Sequence, residues 1–198
     1  MDRVNAAARR LPTAVVWIGG LIPLCWLVWA AATNALGPDP VKAIELQLGL
    51  WGLQFLIASL CVTPLRRVGL NLLRFRRALG VLAFVYIALH FSAWVVLDMG
   101  LRWDEILADL WKRPYIIVGM LGLLSLIPLA ATSTNAAIRR MGGVAWRRLH
   151  RLAYVAAVMG GAHFVLLVKG WQAEPLIYLA AIGLLLAVRV RRRTAQPA

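Results

Sequence analysis

Three histidines are the residues of this chain whose type and position are best suited to chemistry within an apolar helix. His90 lies in the segment RRALGVLAFVYIALHFSAW (76–94), and His150 and His163 lie in RRLHRLAYVAAVMGGAHF (147–164). Both segments are strongly apolar and carry arginines at their N-terminal ends, which the charge pattern described below places on the inner side of a membrane. Because ionisable side chains within membrane-spanning segments are rare and usually functional, these histidines are the first candidates for a site.

His90 and His163 are predicted to lie at the same depth. His90 follows Arg77 by 13 residues. His163 follows Arg148 by 15 residues and Arg151 by 12. At about 1.5 Å per residue, each imidazole lies roughly 20 Å above the inner edge of its helix, in the outer half of a bilayer. Five small residues around His163 leave space for a macrocycle and for close backbone approach: Ala156, Ala157, Gly160, Gly161 and Ala162.

Two neutral imidazoles that face each other in a helix bundle match the axial ligands of a six-coordinate b-type haem. Two other interpretations stay open at this point. The histidines are suited to a hydrogen-bonded structural role, and also to a path for protons or a substrate. Zinc is less favoured, because neither a cysteine nor a carboxylate lies near the same level.

His150 lies at the inner edge of its span and is a candidate ligand of a second, inner haem or redox group. The 13 residues between His150 and His163 correspond to about 20 Å along a helix. In an ideal helix this interval turns the two imidazoles about 140° apart, unless Gly160 and Gly161 re-phase the helix. No fourth histidine exists to complete a second pair. Four arginines are candidate contacts of haem propionates, a flavin phosphate or lipid headgroups: Arg76, Arg77, Arg147 and Arg148.

The segments that must position these histidines are long apolar runs. Of the 198 residues, 62% are hydrophobic, and the mean hydropathy is +0.75. Runs of about 20 apolar residues have the length that a helix needs to cross the hydrocarbon core. The sequence therefore predicts an all-α integral membrane protein, a single domain over residues 1–198 that forms a six-transmembrane helix bundle. The predicted spans are 13–33, 44–63, 78–97, 114–132, 149–168 and 174–190.

The charged residues predict the topology of these spans. The net charge is +14, and 17 of the 22 basic residues lie before the first span, after the second, around the start of the fifth, or at the end of the chain. By the positive-inside rule, both termini and the two basic loops are cytoplasmic. A basic surface for nucleic acid would not alternate with hydrophobic spans, so membrane lipid is the expected partner of most arginines. The basic residues at the end are Arg189, Arg191, Arg192 and Arg193, and Lys169 is expected on the outer side.

Eight short motifs occur in order along the chain: DPVK (39–42), TPLRR (63–67), RRALG (76–80), ALHFSAW (88–94), RPY (113–115), TSTN (132–135), WRRLHRLAY (146–154) and AHF (162–164). Together they resemble the MsrQ (formerly YedZ) family, the haem-binding membrane subunits of the periplasmic methionine sulfoxide reductase system, which belongs to the ferric-reductase-like transmembrane group. The resemblance runs from about residue 15 to about residue 190. One departure is Leu48-Gly49, where relatives tend to have Thr-Gly.

The resemblance implies a multi-pass protein of the bacterial inner membrane with six spans, one or two b-type haems and bound FMN. His90, His150 and His163 all fall at family positions that ligate haem iron. Electrons would come from the quinone pool or from a cytosolic flavin reductase. They would pass to a periplasmic molybdopterin-containing subunit that reduces methionine sulfoxide in oxidised proteins.

The chain is interpreted as an electron carrier without a substrate-turnover site of its own. It contains no GxGxxG-type nucleotide motif, and the cofactors would supply the chemistry. One alternative is a stand-alone ferric or cupric reductase of the same fold. Another is a proton-coupled permease whose histidines relay protons, although the sequence lacks the inverted repeats typical of many transporters.

Overall fold

The computed structural model describes residues 2–168 and 170–190, which form helices joined by turns, with no strand in these ranges. Lys169 and Arg191–Arg193, used above to predict topology, lie outside the described residues. The helices are α1 (Asp2–Arg10), α2 (Ala14–Ala32), α3 (Pro40–Arg67), α4 (Arg76–Ala93), α5 (Trp103–Lys112), α6 (Pro114–Ala131), α7 (Asn135–Met141), α8 (Gly143–Leu149), α9 (Leu152–Leu167) and α10 (Ala173–Val190). A 3₁₀ turn (Leu73–Phe75) precedes α4, and a π turn (Trp94–Asp98) follows it.

Five of the predicted spans are confirmed as helices that are long and apolar enough to cross a membrane. They are Ala14–Ala32, Pro40–Arg67, Leu73–Asp98, Pro114–Ala131 and Gly143–Leu167. α3 is longer than its predicted span, because it begins at Pro40 and continues past Pro64 to Arg67. α10 covers the predicted sixth segment but is not one of these five, so the six-span count and the cytoplasmic termini stay predictions.

The described residues form two compact units, unit 1 within residues 1–109 and unit 2 within residues 110–198. In unit 1, α3 and α4 are consecutive helices that pack against each other along much of their length, and α2 packs on α4. The backbones of α3 and α4 approach closely at Gly52, where an added Cβ would lie 2.5 Å from Cγ1 of Ile87. One cluster of buried hydrophobic residues in this unit consists of Leu27, Leu48, Leu82, Tyr86 and Ala93.

The buried hydroxyl of Tyr86 satisfies backbone groups of α2. It donates a hydrogen bond to the Gly20 carbonyl oxygen at 2.6 Å and accepts one from the Leu24 N–H at 3.1 Å. Gly20 and Leu24 are an i, i+4 pair, the pair that one helical hydrogen bond would join. Pro23 lies in this turn and removes a backbone donor from it. Tyr86 thus ties α4 to the turn of α2 that proline weakens.

The first helix is held against the loop between α3 and α4. The Asn5 side chain donates to the Gly69 carbonyl oxygen at 2.7 Å and accepts from the Asn71 N–H at 2.9 Å. The Arg74 guanidinium donates to backbone carbonyl oxygens near the end of α1. The chain start and this basic loop therefore lie at the same end of unit 1, as the charge distribution predicts.

The beginning of α3 is built from polar interactions. The Asp39 carboxylate accepts a hydrogen bond from the Lys42 N–H at 3.0 Å, and Pro40 occupies the first helical position, where its missing N–H costs little. The Lys42 ammonium then contacts Glu45 Oε2 at 2.9 Å. The Glu45 side chain is only 4% exposed, and its Oε1 has no hydrogen-bond partner among the described residues. Lys42 therefore compensates a carboxylate that is buried.

In unit 2, α6 and α10 both pack on α9 through small residues. An added Cβ at Gly122 of α6 would lie 3.4 Å from Cβ of Met159, and one at Gly161 would lie 3.0 Å from Cδ1 of Ile182. Ala156 and Ala157 are also buried. Gly122 and Gly161 therefore serve close helix packing, which for Gly161 is one of the two purposes predicted for the small residues near His163.

A turn at His150 separates α8 from α9, at the start of the predicted fifth span. α8 ends at Leu149, His150 and Arg151 form a turn, and α9 begins at Leu152. Gly160 and Gly161, the predicted points of re-phasing, lie inside α9, which is unbroken. The 140° angle assumed one ideal helix from His150 to His163, so it does not apply. Contacts of the His150 ring, described below, hold this turn.

Tyr86→Phe is expected to destabilise the protein. It removes the hydroxyl that bonds to both Gly20 and Leu24, and an unsatisfied buried polar group costs about 1–3 kcal/mol. We expect a lower melting temperature by circular dichroism in detergent. Tyr154→Phe is the control, because it keeps the ring that the Arg189 guanidinium contacts. Equal melting temperatures for Tyr86→Phe and wild type would show that the hydroxyl is not structural.

Lys42→Met is expected to destabilise the protein because it leaves the buried Glu45 carboxylate without its cation. The loss should be about 1–2 kcal/mol, below the roughly 3–5 kcal/mol typical of a fully buried pair, since Lys42 is half exposed. Lys42→Met combined with Glu45→Gln should recover most of the loss, because the charge is then absent. Thermal unfolding of wild type, both single variants and the double variant measures this. Equal losses in Lys42→Met and the double variant would contradict it.

Candidate functional site

His90 is held against α3, near the start of that helix, by its Nδ1 atom. Nδ1 lies 2.8 Å from the carbonyl oxygen of Glu45, and the ring is half-buried. A carbonyl oxygen can only accept a hydrogen bond, so Nδ1 carries the proton that is donated. In the neutral imidazole the lone pair therefore lies on Nε2. This tautomer has the form that binds a metal through Nε2.

His163 has the same arrangement in unit 2. Its Nδ1 lies 2.7 Å from the carbonyl oxygen of Tyr115, the second residue of α6. The Tyr115 ring also contacts the imidazole, with 5.9 Å between ring centroids. The proton again lies on Nδ1 and the lone pair on Nε2. Each unit thus contains a histidine whose Nδ1 is bonded to a backbone carbonyl of the neighbouring helix.

These two histidines fit the role of haem ligands. Histidines that bind metals almost always donate their second N–H to a carbonyl, a carboxylate or water, which fixes the ring and makes the ligating nitrogen more basic. Both His90 and His163 do this with a carbonyl oxygen. No group of three or more His, Cys, Asp or Glu side chains that could hold a metal ion occurs in residues 2–168 and 170–190. The pairing of His90 with His163 stays a prediction.

His150 has different surroundings. Its Nε2 lies 3.0 Å from Oγ1 of Thr132, and this hydroxyl donates to the Pro128 carbonyl oxygen at 2.6 Å. Because the single hydroxyl proton goes to Pro128, Nε2 of His150 is the donor, and the lone pair lies on Nδ1. The ring stacks on Trp146, with 3.8 Å between centroids, and the Trp146 indole N–H donates to the Thr132 carbonyl oxygen. Ligation of iron through Nε2 would require the bond to Thr132 to break.

The four candidate arginines lie at helix ends. Arg76 and Arg77 begin α4, and Arg147 and Arg148 lie in the last turn of α8. Cations are favourable at a helix C-terminus and unfavourable at an N-terminus, so the macrodipole accounts for the second pair but not for the first. Three of the four are exposed, and Arg76 is half-buried. Contacts with propionates or a flavin phosphate stay a prediction.

Sequence reasoning missed the groups that orient the histidines. The acceptors for His90 and His163 are backbone carbonyl oxygens, which every residue possesses and which give no sequence signal. Thr132 and Trp146 lie in the motifs TSTN and WRRLHRLAY, so their neighbourhood was indicated, but their contacts with His150 were not. The buried Glu45 was visible only as an acidic residue at the start of an apolar run.

Comparisons with known proteins identify the family of this chain. The family described as "Ferric reductase like transmembrane component" matches residues 45–161. Relatives from Brucella ovis, Brucella canis and Brucella suis carry the name "Protein-methionine-sulfoxide reductase heme-binding subunit MsrQ". Each is 47% identical over 188 residues, which cover 93% of this chain and 85% of the relative. No solved structure shows a significant match. With the family match extending over more than half of its length, this chain belongs to the ferric reductase like transmembrane family and, by its close relatives, to the MsrQ family.

Proposed function

We propose that this chain is the haem-binding, electron-transferring membrane subunit of a protein-methionine-sulfoxide reductase system. His90 and His163 would hold the iron of one b-type haem. The observation that carries the proposal is that Nδ1 of each histidine donates to a backbone carbonyl, at 2.8 Å and 2.7 Å, which leaves the lone pair on Nε2. The names of the Brucella relatives supply the partner system.

The residues of the chain would hold and insulate this group. The carbonyl oxygens of Glu45 and Tyr115 keep both imidazoles in one tautomer and restrict the rotation of both rings. The spans that carry them are long and apolar enough to cross a membrane, and in that medium of low polarity the hydrogen bonds would be stronger than in water. When bound, haem supplies reversible one-electron reduction, at a potential that its axial ligands and surroundings set.

The direction of transfer follows from the predicted topology. The chain lies in the bacterial inner membrane, with the basic loops at the cytoplasmic face and the His90 and His163 site in the outer half. The donor is the quinone pool or a cytosolic flavin reductase. The acceptor is a periplasmic molybdopterin-containing subunit that reduces methionine sulfoxide in oxidised proteins. FMN at the inner face would use the arginines of α4 and α8 for its phosphate.

An inner redox site at His150 is a separate part of the proposal. Trp146 and Thr132 already position the His150 ring at the end of α8. We expect His150→Ala to lower the haem content per polypeptide if His150 ligates a second haem. Iron stoichiometry and a pyridine-haemochrome assay measure this. Full haem content in His150→Ala would exclude the inner haem.

A stand-alone ferric or cupric reductase is the second candidate, and the description of the matching family favours it. Such a protein would reduce metal ions at the outer face without a partner subunit. The electron carrier instead requires one. Reduction of methionine sulfoxide in a test protein by membrane vesicles, with and without the soluble subunit, separates the two functions.

His90→Ala and His163→Ala are each expected to lower the haem content of the purified protein by one haem per polypeptide, with a matching loss of Soret absorbance, because each removes a residue that would hold this haem. Tyr115→Phe is the matched control, since it keeps the carbonyl that accepts from His163 and removes only the phenolic hydroxyl. It should bind haem as wild type does. A Soret band of wild-type intensity in either alanine variant would overturn the ligand assignment, provided that both variants elute as folded protein in size-exclusion chromatography.

A further inference from the structure

We infer that Gly49 and Gly119 are positioning residues that allow His90 and His163 to reach their carbonyl acceptors. The expected effect of these glycines on haem binding rests on the proposed function. The orientation of each imidazole is a property of the protein alone.

The two glycines occupy the same place relative to the two acceptors. His90 bonds to the carbonyl of Glu45, four residues before Gly49. His163 bonds to the carbonyl of Tyr115, four residues before Gly119. Residues i and i+4 share one face of a helix, and helical side chains tilt towards the N-terminus. A side chain at i+4 therefore covers the helix surface beside the carbonyl of residue i.

Glycine leaves this surface open, and the imidazole lies in the opening. A Cβ added at Gly49 would lie 3.1 Å from Nδ1 and 3.2 Å from Cε1 of His90. A Cβ added at Gly119 would lie 2.8 Å from Nδ1 and 3.0 Å from Cε1 of His163. In both cases the nearest atom is the nitrogen that donates the hydrogen bond. The ring thus occupies the volume that the side chain of any other residue would fill.

The distances predict a graded effect. At Gly49 the His90 ring must yield by a few tenths of an ångström, because ordinary Cβ contacts begin near 3.4 Å. At Gly119 the contact is closer than Cβ atoms tolerate, so the His163 ring must leave its position. Gly119→Ala should therefore disturb its histidine more than Gly49→Ala does. Either displacement lengthens the bond to the carbonyl and turns Nε2.

Two other glycines serve as matched controls. Gly122 lies in α6, as Gly119 does, and its added Cβ would make an ordinary contact of 3.4 Å with Met159. Gly80 lies in α4 with His90, and nothing lies within 4 Å of its added Cβ. Replacement of these residues by alanine adds the same methyl group without touching an imidazole.

The test compares haem binding and histidine tautomers in the four alanine variants. Haem affinity is measured by haemin titration of the apoprotein, and the spin state by electron paramagnetic resonance of the ferric protein. Loss of an outer-shell contact typically weakens metal binding about 10–100-fold, so we expect at least tenfold weaker haemin binding and a high-spin signal for Gly119→Ala. Gly49→Ala should show a smaller loss, and Gly122→Ala and Gly80→Ala none. Wild-type affinity and spectra in both Gly119→Ala and Gly49→Ala would overturn the inference.

A second measurement separates this inference from the proposed function. In ¹⁵N-histidine-labelled apoprotein, nuclear magnetic resonance should show protonated Nδ1 for His90 and His163, with the His163 signals changed in Gly119→Ala and not in Gly122→Ala. If wild type binds no haem, the proposed function fails. The magnetic resonance signals of the histidines then decide the inference by themselves. Unchanged His163 signals would then overturn it. If Gly119→Ala does not fold, the milder Gly49→Ala and the His90 signals provide the same decision.

Discussion

A hydrogen bond from a histidine Nδ1–H to a carbonyl oxygen near the start of a neighbouring helix is the interaction on which the candidate site depends. A helical carbonyl has two lone pairs, so it can accept from an imidazole and still take part in its own helix. Both bonds are partly buried, and a hydrogen bond is stronger where it is shielded from water. Each bond decides which ring nitrogen carries the proton and where the other one points. The same bond occurs once in each unit, at Glu45 for His90 and at Tyr115 for His163.

This bond requires that helices approach closely, and small residues provide the approach. Helix association in membranes depends on packing rather than on a hydrophobic driving force, and it favours residues such as glycine. Gly52 lets α3 approach Ile87 of α4, and Gly161 lets α9 approach α10. Hydrocarbon contains no water to pair with backbone N–H and C=O groups, so these groups need partners within the protein. The Tyr86 hydroxyl meets that demand at the turn of α2 that contains Pro23.

Much of the fold was predictable, because runs of apolar residues and clusters of arginine are local features. The predicted segments 114–132 and 13–33 agree with α6 and α2 to within a residue or two at each end. The turn at His150 was not predicted. It depends on a bond between His150 and Thr132 and on stacking against Trp146, contacts that a pattern of apolar residues does not report. The early start of α3 depends on the Asp39 cap and on Pro40, whose signals lie outside the apolar run.

The sequence by itself determined that the chain is helical, that most of it suits a membrane, and that His90, His150 and His163 are the titratable side chains to consider. These conclusions require only composition, length and residue type, which do not depend on neighbouring helices. Only the tertiary structure decided that His90 and His163 bond through Nδ1 while His150 bonds through Nε2. It also decided that the His90 and His163 rings lie where a side chain at Gly49 or Gly119 would be. The physical reason is that these contacts depend on the rotation and register of one helix against another, and side chains far apart in sequence set both.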